Sequence, residues 1–369
     1  MADSIKCPNC SANLRFEPSN QKLVCDYCGG SFSPSELEKI AGDIIDDKKD
    51  SASDTVEVVE DTKVQEHLEA IEDIDQAPVE NIEFTCNSCG GKILADLNTS
   101  ATFCPFCGSP AIVKKSITGE FKPDYIIPFK ITREQAENTF IGWAKGGRYT
   151  PFNFVSQENI AKITGLYVPF WLYDFTTDFD LEGTAEKNYS LGDYSYHEVY
   201  QISRKGHYEW KKIPFDGETR IEDKLMEAIE PYKYGDLKDF DYKYLQGFFA
   251  DRYDQSPEDL KVRVDKRFNK YMNYVRNSLF KGYSSHKIKR DDTKIHKPEA
   301  KYALLPIWFL SYKYLGKYYY FAINGQTGEV AGTLPVSRVK RLMLFSGILA
   351  ISAVIVRLIV GYYLGGYVG

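Results

Sequence analysis

The residues with the clearest chemistry are eight cysteines, arranged as two copies of one pattern. Cys7, Cys10, Cys25 and Cys28 form the first set; Cys86, Cys89, Cys104 and Cys107 form the second, 79 positions later. Each set reads C-x2-C, fourteen residues, C-x2-C, and no cysteine follows Cys107. Thiolates at this spacing suit tetrahedral zinc. Each C-x2-C turn supplies two ligands from one knuckle, and the intervening hairpin carries the second knuckle across. The expectation is therefore two structural Zn2+ ions, one per set. A site closed by four thiolates leaves no position for a substrate, so the metal is expected to hold a fold rather than run a reaction. Eight thiols with none left over point to a reducing compartment, not to a disulfide framework.

Details of the knuckles repeat as well. Tyr27 and Phe106 occupy the same position, and Gly29, Gly90 and Gly108 each follow a knuckle. Glycine there lets the backbone turn tightly and aim amides at sulfur. Ser11 takes that place after the first knuckle, a mild departure.

Other catalytic signatures are absent: no phosphate loop, no dinucleotide fingerprint, no H-E-x-x-H and no G-x-S-x-G. His67 falls in an acidic stretch and reads as solvated. His197, His207, His286 and His296 sit in polar surroundings, which suggests surface or hydrogen-bonding roles. Asp174, Asp178 and Asp180 alternate along an expected strand and read as its solvated face. No catalytic residue is assigned, and the chain is expected not to be an enzyme.

The elements that must position the cysteines follow from composition. The chain has 369 residues, 43% hydrophobic, enough for two or three domains. The net charge of -6 is uneven: residues 43–83 hold 15 acids and 3 bases, leaving 43 bases against 37 acids elsewhere. A mildly basic body with an acidic strap carries no single-sign field that argues for nucleic acid. The expected class is α+β: two four-cysteine ribbons, a Tyr-rich mixed domain and one C-terminal transmembrane helix. The boundaries are ribbon 1 at 1–34, a short helix at 35–42, an acidic disordered linker at 43–80, ribbon 2 at 81–115, the α+β domain at 121–335 and the span at 342–364. The N-terminal residues lack the apolar run of a signal peptide.

Within the domain, Thr132 caps a helix to about Lys145 and Ser156 a short one to Ile163. Strand-like runs follow at Leu166–Phe179, Tyr194–Arg204 and Gly206–Pro214, and helical spacing returns near Arg220–Glu230 and Asp236–Asp251. Ser256-Pro257-Glu258-Asp259 opens a helix to about Phe280. A hairpin at Tyr302–Tyr314 and Lys317–Ile323 closes the domain. Val168-Pro169-Phe170-Trp171-Leu172 and Leu305-Pro306-Ile307-Trp308-Phe309 look alike, as equivalent strands of a duplication would.

Leu342 to Gly369 carries one charge, Arg357. About 20 apolar residues cross a bilayer, so this reads as a tail anchor, with Arg357 reaching toward the far interface. Arg338, Lys340 and Arg341 on its near side place the N-terminal bulk in the cytoplasm. Cations along residues 256–290, among them Lys261, Arg263, Lys266, Arg267 and Lys270, form a solvated face of a core-packed helix or a patch for anionic lipid. The ribbons themselves carry few cations, and the acidic linker would compete with DNA. Zinc-ribbon binding of nucleic acid near the membrane is therefore the alternative reading rather than the first.

The chain resembles bacterial membrane-anchored proteins with a TFIIB-type zinc ribbon. The matching stretches are the CPNC/CDYC and CNSC/CPFC knuckles, residues 167–174 (YVPFWLYD), 226–232 (MEAIEPY), 244–254 (YLQGFFADRYD), 303–310 (ALLPIWFL) and 324–330 (NGQTGEV). Some members carry a replication-restart (PriA-like) helicase name, although this sequence has no phosphate loop for ATP. Others look like partners of phage-shock-protein-A-like and SPFH-type proteins in envelope-stress operons. The resemblance implies recruitment of proteins at the membrane. The functional expectation is thus a non-enzymatic, tail-anchored adaptor at the cytoplasmic face of the cell membrane.

Overall fold

The structure, a computed structural model, describes residues 2–3, 5–37, 39–40, 81–85, 92–96, 99–103, 110–113, 121–152, 154–156, 160, 163–296 and 298–365. The chain folds as two compact units, Met1–Glu120 with Asp241–Ala250, and Phe121–Phe240 with Asp251–Gly369. Together they are mixed α+β. The acidic linker and His67 lie outside the described residues.

In the first unit, β1 (Ala2–Asp3) precedes a three-stranded antiparallel sheet of β2 (Leu14–Glu17), β3 (Lys22–Cys25) and β4 (Ser31–Phe32). Alternation along β2 and β3 buries Leu14, Phe16, Leu23 and Cys25 completely. Residues 34–37 and 39–40 are helical, opened by reciprocal bonds between Ser33 and Glu36, a capping box. Later in sequence come the hairpin β5 (Asn81–Thr85) with β6 (Lys92–Asp96), then β7 (Thr99–Phe103) with β8 (Pro110–Val113). β8 also pairs with β1.

Residues 241–250 fold with this unit although they are far along the chain. Tyr244 sets its ring edge-on to Phe16 at 5.3 Å, and Gln246 accepts the Phe16 amide at 2.9 Å. The helical spacing at Asp236–Asp251 therefore does not give a helix. Short 3-10 turns occur at Tyr234–Asp236 and Tyr242–Leu245 instead.

The second unit is organised by strands that pair antiparallel except where β9 runs parallel to β16: β9 (Tyr125–Ile126), β10 (Thr164–Leu191), β11 (Tyr194–Asp216), β12 (Lys238–Asp239), β14 (Ser285–Asp291), β15 (Lys294–Ile295), β16 (Glu299–Tyr314), β17 (Lys317–Asn324) and β18 (Val330–Gly332), with β13 (Phe249–Asp251) at the return from the first unit. Its helices are α1 (Arg133–Lys145), α2 (Asp223–Ala228), α3 (Lys261–Leu279) and α4 (Arg338–Gly365). The strand-like runs between 166 and 214 are two continuous strands, with a register shift between Tyr173 and Phe175.

β10 and β16 lie side by side, and Val168 pairs with Leu305. The two similar five-residue stretches therefore meet about a local two-fold axis at that pair. What surrounds each stretch repeats too. The Gly217 amide donates to Pro169 O at 2.9 Å, and the Gly325 amide to Pro306 O at 2.8 Å. Gly217 O accepts from the amides of Asp254 and Gln255, while Gly325 O accepts from those of Lys130 and Ile131. Trp171 Nε1 donates to Gln255 O and Trp308 Nε1 to Ile131 O. Each acceptor lies one residue before a pair of reciprocal bonds: Thr132 with Gln135 caps α1, while Ser256 with Asp259 closes the turn that leads into α3, which starts at Lys261 with Leu260 as its cap rather than at the expected Ser256. The duplication foreseen from sequence is thus a whole helix–hairpin unit, and each half's hairpin holds the entry to the other half's helix.

Close packing explains the glycines. A Cβ on Gly325 would meet Phe129 Cδ1 at 2.7 Å, and one on Gly217 would meet Trp171 Cδ1 at 3.2 Å. One face of the sheet buries Val168, Phe170, Leu305 and Ile307 against Leu225, Met226 and Ile229 of the α2 region. On the other face Phe140 of α1 packs on Phe321 and Phe154, and Phe268 of α3 stacks on Phe175 at 4.3 Å. Burying each such ring contributes roughly 1.5–3 kcal/mol.

The halves differ in one respect. β16 and β17 turn at Leu315–Gly316, whereas β10 and β11 run on as an arm to Gly192. At its tip Tyr189 stacks on Tyr196 at 5.2 Å, and Leu191 and Tyr194 are exposed.

α4 is the one described helix long and apolar enough to cross a membrane, with mean hydropathy 2.4 over its most apolar 18 residues within Arg338–Gly361. Its 28 residues rise about 42 Å, more than a hydrocarbon core of about 30 Å.

Candidate metal centre

The first knuckle begins before β2 and the second follows β3, so the β2–β3 hairpin brings them together. Their backbones superimpose bond for bond. Ser11 N donates to Cys7 O at 2.8 Å, as Gly29 N does to Cys25 O at 2.9 Å. Cys7 N donates to Ala12 O and Cys25 N to Gly30 O, at 2.7 and 2.8 Å. Both turns require a left-handed residue: φ is +59° at Ser11 and +73° at Gly29. Gly adopts this at no steric cost, whereas Ser11 is strained.

These turns gather the four sulfurs. The Sγ atoms of Cys7, Cys10, Cys25 and Cys28 lie within 4.8 Å of one another. Cys7 and Cys28 are 3.6 Å apart, Cys10 and Cys25 3.5 Å. A tetrahedral zinc with Zn–S bonds of about 2.3 Å needs sulfurs about 3.8 Å apart, so this donor set fits a metal ion with little movement. It is the only such group among the described residues. Cys86, Cys89, Cys104 and Cys107 lie outside the described residues; the strands that flank them, β5 to β8, are described.

Backbone amides aim at the sulfurs. The Cys28 amide and then that of Tyr27 hold the Cys25 thiol down to about 7, against desolvation. At Cys10 the Ala12 amide also lowers the value. Desolvation and hydrogen bonds from the neighbouring thiols outweigh it and push the thiol up to about 12. Four thiols this close share protons among themselves, and a cation bound at their centre would replace those protons. Tyr27, between two ligands, is exposed to solvent. Arg15 is engaged with Glu17 at 2.8 Å and Asp26 at 3.3 Å, and Lys6 bonds Asn13.

The other sequence-selected residues separate. Asp178 accepts from or pairs with two histidines, His207 Nδ1 at 2.7 Å and His296 Nε2 at 2.7 Å, linking three strands' worth of chain. Sequence reading missed this trio because the histidines lie 29 and 118 residues away. His197 bonds Asn188, and His286 stacks on Phe280 at 4.5 Å. The arginines of α3 are used inside the fold: Arg263 with the buried Asp216 at 2.5 Å, Arg267 with Glu230, and Arg276 with Asp291.

A two-knuckle thiol cluster on a small antiparallel ribbon, within a mixed α+β chain bearing one membrane-length helix, defines a cysteine-cluster protein with a candidate anchor. The chain is 33% identical over 356 residues to the uncharacterized protein YdjG of Bacillus subtilis (strain 168), covering 94% of each. It belongs to the same family as that protein. No protein-family model and no solved structure matches the chain.

Proposed function

We propose that this chain is a non-enzymatic adaptor, anchored in a membrane by α4, that presents zinc ribbons and the Tyr-rich domain to partner proteins on the cytoplasmic side. The observation that carries this reading is the closure of the cluster. Four sulfurs within 4.8 Å fill a tetrahedral ion's coordination and leave no position for substrate. Cys7, Cys10, Cys25 and Cys28 would hold one Zn2+; Cys86, Cys89, Cys104 and Cys107 would hold a second. Zinc supplies a cross-link that folds a ribbon too small to have its own core. With Arg15 engaged by Glu17 and Asp26, the first ribbon offers phosphates little, and the exposed Tyr27 suits a protein surface better. By resemblance, the partners are phage-shock-protein-A-like or SPFH-type proteins of envelope stress.

The test is crosslinked capture from membranes with the intact chain, with residues 1–115 removed, and with residues 338–369 removed. Loss of partners without the ribbons, and release to the soluble fraction without α4, are expected. Retention in the membrane pellet without α4, or an unchanged set of captured proteins without the ribbons, overturns the proposal.

A further inference from the structure

The base of α4 is built into the second unit rather than tethered to it. Ser337 is 5% exposed; its amide donates to Tyr149 O at 2.8 Å. The same residue starts the helix, since its Oγ accepts the Lys340 amide at 3.3 Å and its carbonyl accepts the Arg341 amide at 3.1 Å. Docking and capping thus fall on one residue, with no flexible link between domain and helix. The turn it docks on is itself tightly packed. Thr150 is 5% exposed, and a Cβ on Gly147 would overlap both Thr150 Oγ1 and Leu334 Cδ1.

That turn ends in Phe152, which is 75% exposed. Lys340 Nζ, from the first turn of α4, stands 4.2 Å from the centroid of its ring. Val336 and Val339 are also exposed beside it in sequence, as are the cations Arg148, Arg338 and Arg341. An aromatic ring, short apolar side chains and cations at the start of an apolar helix match the chemistry of the headgroup–acyl boundary. There rings and aliphatic groups enter the upper acyl layer and cations meet anionic headgroups.

We propose that the turn 147–152 is a second membrane contact: Phe152, with Lys340 over its ring and the exposed Arg148, Arg338 and Arg341 on the same turn and helix start, seats the domain on an anionic phospholipid bilayer beside α4. This rests on reading α4 as a span. The contact, together with the Ser337 dock, fixes the angle between domain and bilayer.

The experiment places full-length Phe152→Trp, one chain per disc, in phosphatidylcholine–phosphatidylglycerol nanodiscs, beside the unsubstituted protein with its four native tryptophans. The emission added by the new indole is expected to be blue-shifted and to be lost when the lipids carry bromine high on the acyl chains. Added emission typical of a water-exposed indole, unchanged by brominated lipid in discs that contain the protein, overturns the inference while leaving the span intact. Failure of the unsubstituted protein to enter discs overturns the span reading itself, and the inference with it. A double variant, Arg338→Gln with Arg341→Gln, should reduce the bromine quenching at position 152. Quenching identical to that of Phe152→Trp alone would remove the cations from the proposal.

Discussion

Trp171 and Trp308 make the same hydrogen bond on opposite sides of a local two-fold axis. The indole of each donates to a backbone carbonyl on the approach to a helix, Gln255 O at 2.9 Å and Ile131 O at 3.0 Å. Each ring also rests on an equivalent aromatic, Tyr253 at 4.9 Å and Phe129 at 5.1 Å. Because each bond joins one half to the other, neither half closes alone. Trp171→Phe and Trp308→Phe should each destabilise by about 1–3 kcal/mol, the cost of stranding a carbonyl with some lost packing. Chemical denaturation of both variants checks this; an effect confined to one of them would break the equivalence.

Equivalence also exposes a charge difference. Where the second half has Asn324 and Gln326, the first has Asp216 and Glu218, all of them buried. The amides are satisfied: Asn324 donates to Ile229 O and Gln326 to Lys233 O. Glu218 Oε2 has no partner, and burial, then Asp251, pushes its carboxyl up from 4.5 to about 8 despite Arg220. Its folded value is raised, so the unfolded chain releases a proton that the folded chain keeps. Stability then declines as pH rises from about 4.5 and levels off near 8. Glu218→Gln should flatten that decline, so its melting temperature gains most on wild type toward pH 8. Parallel pH profiles for the two proteins would contradict the account.

The exposed trio of Asp178, His207 and His296 titrates in both senses. Hydrogen bonding to Asp178, then to Glu209, raises His207 above 6.5, while His207 and then His296 lower Asp178 below 3.8. The His207 contribution is complete below about 6.5 and is lost as pH rises through its folded value. That of Asp178 is complete above about 3.8 and is lost as pH falls through its own folded value. Both hold between those limits. By NMR, the His207 ring should titrate above 6.5 in wild type and lower in Asp178→Asn, with Glu209 still holding part of the rise. Salt should narrow the difference, because the groups face solvent.

At the thiol cluster, metal analysis should find two zinc ions per chain in wild type and one in Cys25→Ser, following the proposed pair of sites. Ser11→Gly relieves a left-handed residue at φ +59°, so it should stabilise the first ribbon by about 0.5–1 kcal/mol. Slower zinc loss to a chelator would register this; faster loss would mean that the serine side chain holds the turn.

How much of this was legible depended on whether partners are near in sequence. The knuckles are local, so Cys7, Cys10, Cys25 and Cys28 were readable from spacing alone. The Thr132 cap was readable for the same reason, with its Gln135 three residues on. The stretch 236–251 misled because its apolar residues serve different units. Leu237 packs against the Val168–Leu305 core, while Tyr244 lies on Phe16. Helical spacing arose there from two separate burial demands. The duplication showed in the V-P-F-W and L-P-I-W stretches. Its interlock did not, because Trp308 and Ile131 are 177 residues apart.

The unequal hairpins leave one end of the sheet thinly supported. Past Asp174, its last pairing with β16, β10 continues to Leu191, a distance of about 55 Å at 3.3 Å per residue. β14 and β15 flank it as far as Glu186, and beyond that point only β10 and β11 pair among the described residues. Tyr189, Leu191 and Tyr194 are thus exposed on a two-stranded ribbon, the least supported kind of sheet, so removing residues 188–197 should take these groups away without altering anything held at the core.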